Sequence, residues 1–127
     1  ENIRRLAEVA SHLARKGHVA IVAAVSPSLE DRAQARRIAD GFFHEVHVAA
    51  SAEVCEARDP KGHYQKARAG QLNGFTGTDG GYQPPVKAEL VLDTGVKSVA
   101  EAASEIESLL VKSGVLFEEL ADLAANI

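Results

Sequence analysis

Four cations, Arg58, Lys61, Lys66 and Arg68, fall within eleven consecutive positions. On a segment able to close over a site, such side chains suit phosphate. Arg and Lys stabilise the charge of a phosphoryl group in transfer, and a lid keeps out water that would hydrolyse the donor. The same charges also describe a solvated basic helix. Upstream, Val25-Ser26-Pro27 ends an apolar run, and in open α/β sheets ligands bind beyond the carboxyl ends of the strands. Pro27 pushes Ser26 toward extended backbone, from which its hydroxyl can donate to a phosphate or ribose oxygen; the plainer alternative is a Ser-Pro turn that ends a strand. Phe75 lies in the polar, glycine-rich stretch from Gly74 to Tyr82. It either stacks on a purine ring or folds back to anchor its own loop. The histidines and Cys55 show no tight metal-ligand spacing, and no serine or cysteine carries a local nucleophile motif. Neither a metal site nor covalent hydrolase chemistry is expected of this chain.

The elements that must hold these residues alternate between helix and strand. Ile3, Leu6, Val9, Ala10 and Leu13 recur at helical spacing and predict a helix over 2–16, stopped by Gly17. His18 to Val25 is a continuous, partly β-branched apolar run, the pattern of a parallel strand buried on both faces. Further helices are expected over 32–40, over 52–58 with Ser51 as cap, and over 98–112 with Val99, Ala102, Ala103, Ile106, Leu109 and Leu110 inward. Strands are expected over 45–49 and 89–92. That order predicts an α/β layer fold with a parallel sheet. Residues 59–85 read as a lid, and 114–127 as an acidic amphipathic tail helix beyond a domain of residues 1–113. The tail is expected to pack on a partner or lead into another domain.

With 127 residues, 46% hydrophobic and 25% charged, one soluble domain is expected. No apolar run approaches the roughly 20 residues of a membrane span. The net charge of −4 opposes a dominant nucleic-acid surface, so the expected partner is a metabolite. A single cysteine excludes an internal disulfide, and with no signal segment in view a reducing cytoplasm is expected. Glu1 opens on a helix already under way, and three strands make a thin core for a parallel sheet. An N-terminal part of the fold is therefore expected before Glu1.

Several motifs agree in order and spacing. Glu1-Asn2-Ile3-Arg4-Arg5-Leu6-Ala7-Glu8-Val9-Ala10, then Val25-Ser26-Pro27 with Asp31-Arg32, Glu53-Val54-Cys55-Glu56-Ala57-Arg58-Asp59-Pro60-Lys61-Gly62, and Gly74-Phe75-Thr76-Gly77-Thr78-Asp79 resemble the adenylylsulfate kinase family, over residues 1 to about 113. The resemblance implies a three-layer P-loop nucleotide kinase fold. It implies the sulfate-activating transfer of the ATP γ-phosphate to the 3′-hydroxyl of adenosine 5′-phosphosulfate (APS), with Mg²⁺. By the same resemblance Asn2, Val25, Ser26, Lys61, Gly74 and Phe75 bind APS, with Phe75 stacked on its adenine. Ser26 also matches a phosphorylatable family serine, while Arg58 and Lys97 fall where the family approaches the ATP adenine. A homodimer is implied too, as is a fused or partner ATP sulfurylase.

The departures from the family pattern are specific. No G-x-x-x-x-G-K-[ST] occurs in the 127 residues, so nothing in them cradles the β- and γ-phosphates with backbone N–H groups. Ser28 and Leu29 replace the family's usual aromatic and arginine, Ala49 a usual Asp, Ser51 a usual Pro, His63 a usual Leu, and Gln83 a common Glu. Two readings follow: a kinase domain whose phosphate loop lies upstream, or a non-catalytic module that binds APS or its 3′-phosphorylated product and regulates an ATP sulfurylase.

Overall fold

The computed structural model describes residues 1–72 and 81–117, in two compact units. The first comprises Glu1–Phe43 and Ala50–Lys87, the second His44–Ala49 and the chain from Ala88 onward.

In the first unit, α1 (Asn2–Arg15) packs against α2 (Leu29–Ala39). The sequence leads to α1 through its apolar spacing and through ion pairs one turn apart, Arg4 with Glu1 (2.7 Å) and Glu8 (2.5 Å). Gly17, at φ 90°, takes the left-handed conformation that ends the helix, as expected. The seam with α2 is narrow because Ala35 and Ala39 are small and buried. A helix end leaves carbonyls without intrahelical partners. At the end of α2, the Ile38 carbonyl accepts from Ser11 Oγ and from Arg15 Nη2, both at 3.3 Å. This contact explains why Ser11, a polar residue, is buried.

The second helix begins three residues earlier than expected. Ser28 accepts from the Asp31 amide at 3.3 Å, and Glu30 and Asp31 in the first turn complement the helix dipole. Two further helices follow, α3 (Ala52–Arg58) and the short α4 (His63–Arg68). Ser51 caps α3 by accepting from the Val54 amide at 3.2 Å, as expected.

His18–Val25 is not a strand. Ile21 is 84% exposed, and the sheet found among the described residues has two strands, neither from this run. A buried parallel strand needs ladder partners at its sides and cover on both faces, and apolar composition supplies neither. Instead Val19, Ile21 and Val22 form one wall of an open groove of about 500 Å³, with Asn2, Leu6 and Val9 of α1 on the other.

The second unit holds that sheet, β1 (Val46–Ala49) beside β2 (Leu90–Asp93), parallel and in register from Val46↔Leu90 to Ala49↔Asp93. Thr94 extends the ladder, its amide donating to the Ala49 carbonyl at 2.8 Å. Next comes α5 (Val99–Lys112), which begins at a reciprocal cap. Ser98 Oγ accepts from the Glu101 amide at 3.2 Å and Glu101 accepts from the Ser98 amide at 2.7 Å. Val99 and Ala103 do not face inward; both are exposed, Val99, at the first helical position, by 88%. Most of the expected tail helix, residues 118–127, lies outside the described residues. No helix among the described residues is long and apolar enough to cross a membrane.

Candidate functional site

The Ser26-Pro27 turn is built by residues from both segments of the first unit. Ser26 does not adopt the extended backbone that a following proline favours; its φ is 44°, in the left-handed region. A non-glycine residue held there carries about 1–3 kcal/mol of strain and persists only where its surroundings enforce it. Arg32, in the first turn of α2, enforces it. One guanidinium nitrogen donates to the Ser26 carbonyl and the other to the Gln83 carbonyl. The same guanidinium lies 5.5 Å from the centroid of the Tyr82 ring. Gln83 answers with its own amide on the Pro27 carbonyl (2.8 Å) and its side-chain oxygen accepting from the Leu29 amide (2.9 Å).

A second turn, Asp59–Gly62, connects α3 to α4. The Gly62 amide donates to the Asp59 carbonyl at 3.0 Å, and Gly62 takes φ 66°. The two Asp59 carboxylate oxygens accept from the amides of Tyr64 (3.1 Å) and Gln65 (3.2 Å), satisfying donors that the start of α4 leaves open. Lys61 stands exposed at the tip of this turn and Arg58 exposed at the end of α3. Burial, followed by the adjacent Cys55, pushes the Tyr64 phenol above its usual value.

Of the four clustered cations, Arg68 is already paired. It grips Glu56 through two nitrogens, Nη2 at 2.7 Å from Oε2 and Nε against Oε1, and this guanidinium holds the Glu56 carboxyl below its ordinary value of 4.5. A carboxyl lowered by folding stabilises the folded state above its ordinary pKa, and that contribution disappears as pH falls through the lowered one. The tie between α3 and α4 is accordingly expected to be whole above about pH 4.5 and to open below it. The protection factors of the α4 amides should fall over that window, and Arg68→Gln should abolish the fall.

Asn2 lines the groove beside α1, whereas Val25, exposed, and Ser26 lie outside its lining. Lys97 belongs to the second unit, where its ammonium pairs with Glu105 of α5. Gly74 and Phe75 lie outside the described residues. The sequence marked Arg32 only as part of the family motif Asp31-Arg32 and Gln83 only as a departure from a common Glu, and gave Arg32, Tyr82 and Gln83 no structural role. No group of three His, Cys, Asp or Glu able to hold a metal ion occurs among the described residues.

The family pattern described as adenylylsulphate kinase matches residues 1–93. The chain belongs to the adenylylsulphate kinase family. The adenylyl-sulfate kinase of Shewanella pealeana is 47% identical over 111 residues, covering 87% of this chain and 53% of that protein. That of Bacillus pumilus is 48% identical over 107 residues, covering 84% and 54%. The chain thus spans about half the length of the curated relatives it matches. The structure of the Mycobacterium tuberculosis APS kinase CysC, in complex with AMPPNP and APS, superposes with a TM-score of 0.81 at 46% identity, over 86% of this chain and 64% of that one. The fold class is the expected one, an α/β P-loop kinase architecture with parallel strands.

Proposed function

We propose that the chain forms the APS-binding portion of an adenylylsulfate kinase, which transfers the ATP γ-phosphate to the 3′-hydroxyl of APS in cytoplasmic sulfate activation. The observation that carries this reading is the close superposition on a family member solved with AMPPNP and APS. In this reading Asn2, Val25, Ser26, Lys61, Gly74 and Phe75 hold APS, and Arg58 and Lys97 approach ATP. Phosphoryl transfer between two bound nucleotides is in line and needs no protein nucleophile. Ser26 therefore binds and orients, and Lys61, exposed on a turn, offers a point charge to an anionic group. Mg²⁺ in phosphoryl transfer is held largely by the nucleotide's own phosphates, and no step is assigned to it through the described residues. The β- and γ-phosphates need a loop of the G-x-x-x-x-G-K-[ST] type, which these 127 residues do not contain.

The test is ADP release from the full-length protein with ATP and APS, run beside an APS binding titration. APS binding with APS-dependent ADP release is expected. Binding without turnover would overturn the kinase reading in favour of a regulatory module, and no binding would overturn both.

A further inference from the structure

We infer that Arg32 is a positioning residue that fixes the Ser26-Pro27 turn for APS by locking it to the Tyr82-Gln83 segment. This inference rests on the proposed APS site. Arg32 is only 9% exposed, and its planar fork spans two backbone carbonyls that are far apart in sequence, those of Ser26 and Gln83. Two more hydrogen bonds close the link, from the Gln83 amide to the Pro27 carbonyl and from the Leu29 amide to the Gln83 side-chain oxygen. The ring of Tyr82 lies against the guanidinium, at 5.5 Å from its centroid. Together these contacts hold Ser26 at a φ of 44° that neither its own side chain nor Pro27 favours. Lysine is a flexible point charge without the fork, and it cannot hold both carbonyls in that geometry. The shape of the substrate turn is thereby set by the Tyr82-Gln83 segment, more than fifty positions away in sequence.

The experiment compares full-length wild-type protein with Arg32→Lys and Gln83→Ala. For Arg32→Lys, the Kd and KM for APS should rise by about tenfold or more, with the KM for ATP unchanged. Amide exchange at Leu29 and Gln83 should accelerate by a similar factor, while the α1 amides keep their protection. Gln83→Ala, which keeps the two Arg32 bonds, should raise the APS Kd only a few-fold. Faster exchange with an unchanged APS Kd would make Arg32 merely structural and overturn the proposal, as would unchanged exchange at Leu29 and Gln83. If Arg32→Lys fails to fold, Gln83→Ala decides: exchange at Leu29 no faster than in wild type refutes the lock. Wild-type protein that binds no APS would sink the functional reading instead, leaving the lock itself to stand or fall on the exchange contrast.

Discussion

Leu92→Ala is expected to lower the unfolding free energy by about 2–5 kcal/mol, the range for emptying a buried leucine site. Leu92 is the one large side chain among the described residues that is almost fully buried, at 1% exposure. It sits inside β2, in register with Val48 of β1, and β2 contacts α5. Truncation removes the apolar area that Leu92 buries and leaves a cavity between elements already pinned by the ladder and by Thr94, which limits how far the site can collapse. Its neighbour provides the control. Val91 points to the other face of the strand and is 56% exposed, so Val91→Ala should change stability by about 0.5 kcal/mol or less. Urea unfolding of both variants, with amide exchange along β1 and β2, measures the difference. Equal costs at the two positions would show that Leu92 is not the anchor of this sheet.

The second large effect is on the ligand. Phe75→Ala should weaken APS binding by about 1–3 kcal/mol, the usual loss when an aromatic platform under a base is removed. Phe75→Leu keeps apolar contact but lacks a π face, so its affinity should fall between those of wild type and alanine. Calorimetric titration of the full-length variants with APS provides the measurement, with ATP as a second ligand whose affinity should not follow the same order. An unchanged APS affinity in Phe75→Ala would remove this residue from the site, and the choice between base stacking and loop anchoring would then go to the anchor.

Much of the local structure was legible. Apolar spacing and Gly17 bounded α1, and Ser51 marked the start of α3. Each of these rests on contacts within one helical turn, which is why a short window of sequence contains them. The start of α2 was equally local, in Ser28 followed by Glu30 and Asp31, although the expected boundary lay three residues further along. His18–Val25 failed for a different reason. Its composition suits a buried strand, yet a strand exists only through its neighbours, and no run of residues names them.

The same division holds for the site. The sequence by itself determined the family and, apart from His18–Val25 and α4, the order of helices and strands, because motif order and residue periodicity are written along the chain. The tertiary structure alone decided that Ser26 is left-handed despite Pro27, that Arg32 and Gln83 hold it so, and that Glu56 neutralises Arg68. Local sterics favoured extended backbone at Ser26, and charge alone counted Arg68 among the cations open to a phosphate. Contacts reversed both expectations. A hydrogen bond from Arg32 to a residue 51 positions away is a matter of distance in space, which the sequence does not contain.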